Sequence, residues 1–355
     1  MSDRPIDVLV VEDSRVTRMF LVHLLGSDPQ IRVVGAVGDG QAALDFLRDQ
    51  RPDVVLMDIH MPGMGGFEAT RRIMEVRPVP IVICTASSDP RDTVVAFQAM
   101  EAGAIACVGK PLGSDHADFE AVAAHLLETV RLMSEVKVVR RLARSRSAPS
   151  PPLPRGPGAP AEIRVVGIGA STGGPQVLQT ILAALPKNFS TPVLIVQHMA
   201  HGFLAGMVEW LDQTTGLRIH VASHGIEALP GHVYIAPDDL HMGVDRGGRI
   251  VLTREEPENH LRPAVAHLFR SLAREYGAHG LGILLTGMGK DGAVELKLMK
   301  DRGAVTIVQD RDSSTVYGMP GAAVELGAAT HVVPAERIAD AMVALVNGAK
   351  PRPGG

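Results

Sequence analysis

The hydrophobic pattern of the first part of the chain consists of short aliphatic runs separated by longer segments with helical periodicity. The runs read "IDVLVVED", "IRVVGAV", "DVVLMDI", "PIVICTA" and "ACVGKP". Such runs, uninterrupted by polar alternation, are typical of strands buried on both faces of a parallel sheet. The alternation with helical segments predicts a five-stranded, parallel, doubly wound α/β domain over residues 1–125.

The pattern stops in the segment "RRLARSRSAPSPPLPRGPGAPAE", which is rich in Pro, Arg and Ser. Its composition predicts a helical extension and linker over residues 126–162. Strand-like runs then resume and predict a second, larger domain over residues 163–347, again doubly wound and mostly parallel. Within it, "HVYIAPDDLHMGVDRGGRIVLTRE" predicts an inserted β-hairpin. Residues 348–355 are expected to form a disordered tail.

Composition narrows the class of protein. Hydrophobic residues make up 46% of the chain and charged residues 21%, and the formal net charge of -4 gives no general reason to expect a polyanionic partner. Acidic residues occur too early for a signal peptide, and no apolar run reaches the ~18 residues of a membrane span. Cys84 and Cys107 stand in apolar surroundings without metal-ligand spacing. We therefore predict a cytoplasmic protein with reduced thiols.

Polar residues follow the strands of the first domain where ligands bind in open parallel sheets. Glu12 and Asp13 follow the first strand, Asp58 the third, Thr85 the fourth and Lys110 the fifth. Carboxylates gathered at one edge repel unless a cation joins them, and oxygen ligands suit Mg²⁺. Asp58 can then attack phosphorus to form an acyl phosphate, while Lys110 offsets the phosphoryl charge and Thr85 donates to a phosphoryl oxygen.

The motifs "VVEDS", "DVVLMDIHMPGMGGFEAT", "CTAS" and "GKP" resemble the two-component receiver domain over residues 6–125. The resemblance implies that Asp58 accepts a phosphoryl group from a histidine kinase and that Glu12 and Asp13 help to hold Mg²⁺. It also implies that Thr85 and Lys110 form the switch. Because the segment between these two is longer than in common receivers, Ser87 is a rival for the hydroxyl role.

The second domain contains the glycine-rich stretch "GIGASTGGPQ", which is compatible with a dinucleotide-binding turn or with a serine exposed on a sharp strand-to-helix bend. A dinucleotide site favours an acidic residue ~20 residues later. The next strand ends instead in Gln197 and His198. Ser171 is thus either an activated nucleophile or a helix N-cap.

A nucleophilic serine needs a base and a group that orients it. His198 ends the strand that follows Ser171, and Asp291 lies in the glycine-rich loop "TGMGKDG" after a later strand. The same loop makes the backbone N–H of Met288 a candidate oxyanion donor. The order Ser, His, Asp differs from that of the α/β-hydrolases.

The stretches "GIGASTGGPQVLQTIL", "LIVQHMAHGFLAGMVEWL", "VYIAPDDLHM" and "LLTGMGKDGA" resemble the catalytic domain of chemotaxis protein-glutamate methylesterases. The resemblance implies a Ser171–His198–Asp291 triad that hydrolyses glutamate γ-methyl esters on the cytoplasmic helices of methyl-accepting chemoreceptors and deamidates receptor glutamines. It implies no cofactor for the esterase site. Relatives often carry "HRPS" near the site. Here Leu261 and Ala264 replace two of those residues, which puts the substrate contacts in question.

Other functions fit the same residues less well. A DNA-binding output is disfavoured because the second half is strand-rich and slightly acidic. A metal hydrolase is disfavoured because no HExxH-like spacing occurs. The scattered histidines are expected at the surface, with His201 on the rim of the site. These histidines are His201, His220, His224, His232 and His241. A receiver docked over the serine site and released by phosphorylation would make the esterase inducible.

Overall fold

The computed structural model describes residues 4–85, 90–111, 119–136 and 161–348. The chain divides into two compact units, Met1–Pro149 and Ser150–Gly355. Most of the predicted linker, the predicted tail and the rival hydroxyl Ser87 lie outside the described residues. No described helix has the length and apolar composition needed to cross a membrane.

The first unit has one parallel sheet with strand order β2-β1-β3-β4-β5. Its strands are β1 (Ile6–Val11), β2 (Ile31–Val37), β3 (Val54–Met57), β4 (Ile81–Thr85) and β5 (Ala106–Gly109). Its helices are α1 (Arg15–Gly26), α2 (Gly40–Asp49), α3 (Gly66–Val76), α4 (Pro90–Glu101) and α5 (Phe119–Ser134). The predicted five-stranded doubly wound fold is confirmed. Helix α5 packs against β3, β4 and β5 and continues past residue 125.

The second unit has a seven-stranded parallel sheet with order β14-β13-β12-β6-β7-β9-β8. Its strands are β6 (Val165–Ala170), β7 (Val193–Gln197), β8 (Arg218–Val221), β9 (His232–Ile235), β12 (Gly280–Leu284), β13 (Val305–Gln309) and β14 (His331–Val333). The predicted hairpin is a separate antiparallel pair, β10 (His241–Val244) and β11 (Ile250–Thr253). The helices are α6 (Gly174–Ala184), α7 (Leu204–Thr215), α8 (Val265–Glu275), α9 (Ala293–Asp301), α10 (Met319–Glu325) and α11 (Ala335–Gly348).

Strand order determines where ligands can bind in each sheet. The chain adds strands first toward one edge of the sheet and then toward the other, and the switch lies between β1 and β3 in the first unit and between β6 and β12 in the second. A crevice opens beyond the carboxyl ends of the strands at such a reversal. The predicted site residues follow these strands or their neighbours, so the topology places them at the two crevices.

Two glycines of β6 let helix α8 lie close to the second sheet. A Cβ atom on Gly167 would come within 2.3 Å of Leu272 Cδ1, and one on Gly169 within 2.3 Å of Val265 Cγ1. Such distances are far inside van der Waals contact, so larger residues would push the helix away. The close approach brings the first turn of α8 to the crevice beside β6.

Candidate active site

Ser171 lies in a tight turn between β6 and α6 at the crevice of the second sheet. Its N–H donates to Thr286 O at 3.0 Å, and its carbonyl accepts from Gly174 N at 2.7 Å. Gly173 has a φ of 77°, in the left-handed region that favours glycine. The serine side chain is partly exposed and lies in the turn before α6, whose N-terminal end favours an anion. The N-cap of α6 is Gly173, so the alternative that Ser171 is the helix N-cap is wrong.

His198 and Asp291 lie beside each other at the same edge. His198 Nε2 is 3.0 Å from Asp291 Oδ2, and their side chains are 10% and 3% exposed. The distance is that of a hydrogen bond, although the ring N–H is not directed at a partner. His198 N also donates to Ala170 O at 2.9 Å, next to Ser171.

Asp291 is held by the first turn of α8. Its Oδ2 accepts from Val265 N at 2.6 Å and its Oδ1 from Ala266 N at 3.2 Å. These N–H groups have no partner within the helix, and the positive end of the helix dipole favours a carboxylate. Asp291 therefore supplies the cap that Ala264, the N-cap residue, lacks. Its orientation is set by a helix that no sequence pattern had connected with it.

The three predicted triad residues thus meet at one edge, although the proton path from Ser171 is not closed. Within the described part of the chain, Ser171 Oγ makes no hydrogen bond to His198. Since Nε2 of the ring faces Asp291, Nδ1 is the nitrogen left to accept the serine proton. Catalytic hydrogen bonds are often long before substrate binds.

The loop after β12 lies against the serine turn. A Cβ atom on Gly287 would be 2.7 Å from Ser171 Cβ. The Thr286 hydroxyl donates to Thr172 O at 3.0 Å, and Thr286 N donates to Gln309 Oε1 at 2.8 Å. Among the described residues the backbone N–H of Met288 has no acceptor, as an oxyanion donor requires before substrate binds.

Two buried glutamines at this edge were not predicted as part of the site. Gln309 anchors Thr286 and donates through Nε2 to Ser313 O at 2.8 Å. Gln197 donates through Nε2 to the carbonyls of Ser171 and His198. The sequence showed Gln197 only as a residue that is not a carboxylate. A buried amide at the carboxyl end of a strand is the signal that could have identified either one.

The histidines divide into exposed and buried ones. His201 lies on the loop after β7, and its side chain is 76% exposed. Its Nδ1 is 3.6 Å from a carboxylate oxygen of Asp238 and 3.6 Å from one of Asp239. His241 is fully buried, so the expectation of a surface position is wrong for it. The hydrophobic neighbours of its strand and the first turn of α8 enclose it.

His241, Glu258 and His267 place their ligand atoms within 4.8 Å of one another. His241 Nδ1 accepts from Ala264 N at 3.2 Å, and its Nε2 lies 3.1 Å from Glu256 O. Glu258 receives two hydrogen bonds from Arg270, at 3.0 and 2.7 Å. Both nitrogens of His241 and the carboxylate are therefore engaged with protein, and the group serves to anchor α8.

The crevice of the first sheet contains the predicted carboxylates and lysine. Lys110 Nζ lies 2.7 Å from Glu12 Oε2 and 2.8 Å from Asp58 Oδ1. Burial raises the pKa of Glu12, against the opposing effect of the Lys110 hydrogen bond, and the charge of Asp58 raises it further. Lys110 N also donates to the backbone carbonyl of Thr85, whose side chain is buried at the end of β4.

Glu12, Asp13 and Asp58 bring oxygen atoms within 4.8 Å of one another. Three carboxylates at this spacing match the oxygen donors that Mg²⁺ prefers. Asp58 Oδ1 accepts from Ile59 N at 2.8 Å and faces Lys110. Within the described residues, Asp58 Oδ2 makes no hydrogen bond or ion pair of this kind.

Both units match families of known proteins. The CheB methylesterase family matches residues 166–342, and the response regulator receiver domain matches residues 8–119. A protein-glutamate methylesterase/protein-glutamine glutaminase of Nitrosospira multiformis is 53% identical over 96% of this chain and 97% of its own length. A protein of the same name from Syntrophus aciditrophicus is 51% identical over 98% of this chain and 100% of its own length.

Among solved structures, the CheB methylesterase catalytic domain of Thermotoga maritima is 39% identical, with a TM-score of 0.51, over 52% of this chain and 100% of that one. The two family matches cover the two units in the order predicted from the motifs. The resemblance found in the sequence is confirmed, and the dinucleotide-binding alternative receives no support. The chain belongs to the CheB methylesterase family, with a response regulator receiver domain preceding the methylesterase domain.

Proposed function

We propose that this protein hydrolyses glutamate γ-methyl esters on chemoreceptors, with Ser171 as nucleophile, His198 as general base and acid, and Asp291 as the group that orients His198. The observation that carries the assignment is the 3.0 Å approach of His198 Nε2 to Asp291 Oδ2 at the edge of the sheet where the Ser171 turn follows β6. The activity follows that of the protein-glutamate methylesterase/protein-glutamine glutaminase that is 53% identical over 96% of this chain.

The reaction proceeds by two acyl transfers. Ser171 Oγ attacks the ester carbonyl while His198 takes the hydroxyl proton, and the Met288 N–H stabilises the oxyanion. The C–O bond to the methoxy group breaks, and His198 returns the proton so that methanol leaves. Water then attacks the acyl-enzyme by the same route and releases glutamate. A receptor glutamine follows the same steps with ammonia as leaving group.

Asp291 is suited to stabilise the imidazolium that forms in these steps. Two backbone N–H groups of α8 hold its carboxylate in place, so it need not reorganise as charge develops. The side chain is almost fully buried, where its interaction with the imidazolium is little screened by water. This esterase chemistry requires no cofactor.

The receiver domain is proposed to control this activity through phosphorylation of Asp58. Asp58 Oδ2 attacks the phosphoryl group of a histidine kinase, forming an O–P bond as the bond to the donor breaks. Lys110 offsets the added charge, and Thr85 is the hydroxyl proposed to contact the phosphoryl oxygens. Glu12, Asp13 and Asp58 are the residues that would hold Mg²⁺, which neutralises phosphoryl charge when bound.

We place the receiver at residues 1–125, the extension and linker at 126–162, the methylesterase domain at 163–347 and the tail at 348–355. The substrate segments are the cytoplasmic helices of methyl-accepting chemoreceptors, so the site of action is the cytoplasm.

Methanol release from methylated receptor tests the catalytic assignment. Ser171→Ala removes the attacking oxygen, and we expect kcat to fall at least ~1,000-fold with an unchanged melting temperature. Ser223→Ala, at an exposed position, is the control and should retain full activity. Substantial methanol release by Ser171→Ala would overturn the assignment of the nucleophile.

A further inference from the structure

Gln197 connects the two residues that must exchange a proton. It is the last residue of β7 and is 5% exposed. Its Nε2 donates to Ser171 O at 2.9 Å and to His198 O at 2.8 Å. Resting on the proposed roles of these two residues, we propose that Gln197 is a positioning residue that sets the distance and orientation between nucleophile and base.

The chemistry of the side chain fits this role. A primary amide has two N–H donors on one nitrogen, and the two carbonyl oxygens can only accept. The NH₂ group therefore faces Ser171 and His198, and the amide orientation follows from its partners. One planar group thus fixes two backbone segments relative to each other. An aliphatic side chain of the same size would fill the space without joining them.

The two carbonyls depend on Gln197 to different extents. Ser171 O has a second donor, Gly174 N, at 2.7 Å. His198 O has no donor other than Gln197 within the described residues. Loss of the amide would therefore leave the part-buried His198 carbonyl without a protein partner, which is costly. The base should move more than the nucleophile.

Gly174 provides the space in which the amide lies. A Cβ atom on Gly174 would be 2.1 Å from Gln197 Oε1 and 3.0 Å from its Cδ. Alanine at a helical position ordinarily stabilises the helix relative to glycine. Gly174→Ala should instead displace the amide, so it disturbs the same contacts from the opposite side.

The experiment compares kcat and KM for methanol release by the full chain carrying Gln197→Met or Gln197→Glu. Methionine keeps the side-chain volume and removes both N–H donors. Glutamate keeps the side-chain shape and places carboxylate oxygens, which accept hydrogen bonds, opposite the carbonyls of Ser171 and His198. We expect kcat to fall at least about tenfold in Gln197→Met and further in Gln197→Glu, with KM changed less than about twofold. Gly174→Ala should show the same division between kcat and KM.

Thr306→Val is the matched control. Thr306 is fully buried in the same sheet, and its hydroxyl donates to Ala328 O at 2.6 Å, away from the site. It should lower the melting temperature while kcat stays within about twofold. Labelling of Ser171 by a fluorophosphonate probe provides a second readout, and it should slow in the Gln197 variants and not in Thr306→Val.

Two results would overturn the positioning role. One is a kcat for Gln197→Met within about twofold of wild type. The other is a loss of kcat that Thr306→Val reproduces at an equal loss of melting temperature. Failure of the triad itself is distinguishable, because Ser171→Ala would then remain active whatever the Gln197 variants do.

Discussion

Two buried carboxylates of this protein are stabilised in different ways. Asp291 accepts two backbone N–H groups at the start of α8. Glu12 faces the ammonium of Lys110 at 2.7 Å and shares its crevice with Asp58. Fixed dipoles suit a carboxylate that keeps its partner throughout a reaction. The Lys110 ammonium between two carboxylates offsets charge at the site proposed for the cation and the phosphoryl group.

The electrostatics of Glu12 predict a trade-off between metal binding and stability. Burial raises its pKa above 4.5, so the folded state binds this proton more tightly than the unfolded chain does. The contribution of Glu12 to stability therefore falls as pH rises from 4.5 through the raised pKa. At neutral pH, Glu12→Gln should raise the melting temperature of the receiver and weaken Mg²⁺ binding.

Calorimetry at several pH values, with and without Mg²⁺, measures both effects. The gain from Glu12→Gln should shrink below pH 4.5, where Glu12 is protonated in both states. Glu68→Gln is a control whose effect on stability should have the opposite sign. Hydrogen bonds from Arg71 and Arg72 lower the pKa of Glu68 to about 2. Its native contribution is present above pH 4.5 and is lost as pH falls. A Glu12→Gln protein less stable than wild type at pH 7 would contradict the argument.

At the scale of elements, glycines control how closely the catalytic segments approach. Gly173 at the N-cap of α6 has a φ of 77°, and a Cβ atom there would be 2.4 Å from Thr315 Oγ1. Gly173→Ala should therefore cost about 1–2 kcal/mol in backbone strain, plus the displacement of the Thr315 loop. Since Ser171 is two residues away, we expect kcat for methanol release to fall about tenfold or more.

Gly225→Ala is the control that separates the effect of backbone strain from the effect of displacing a neighbouring loop. Gly225 has a φ of 80°, and a Cβ atom there would meet nothing within 4 Å, so this substitution carries the strain alone. Denaturant unfolding should show a loss of stability in both variants, and only Gly173→Ala should lose activity. Equal activity in the two would show that the turn tolerates a shift of the loop.

The sequence predicted the strands, the two crevices and the residues at the strand ends, because parallel order brings carboxyl ends to one edge. It did not predict that Asp291 caps α8, since no local pattern connects residue 291 with amides at 265 and 266. The bridge made by Gln197 was also hidden, because it depends on the pairing of Ala170 with Gln197 across β6 and β7. Such contacts arise from register and helix approach, which composition and spacing do not encode.

At the scale of the whole molecule, a phosphorylation site and an esterase site occur in separate compact units of one chain. Each unit has its own sheet and its own crevice. The proposed control of the esterase by the receiver requires an equilibrium between active and inactive states of the full chain. Such an equilibrium responds only to the extent that phosphorylation favours one state over the other.

This requirement gives a measurable expectation for the full chain. A tenfold rise in methanol release needs a shift of only ~1.4 kcal/mol in that equilibrium, which one added phosphoryl group can supply. We expect a small-molecule phosphodonor with Mg²⁺ to stimulate the wild-type chain about tenfold and to leave Asp58→Asn unchanged. Asp53→Asn, at a carboxylate paired with Arg4 rather than with Lys110, is the matched control and should respond like wild type. Stimulation of Asp58→Asn equal to that of wild type would place the regulatory phosphoryl group elsewhere, whereas an unstimulated but phosphorylated wild type would show that the modification does not bias the active state.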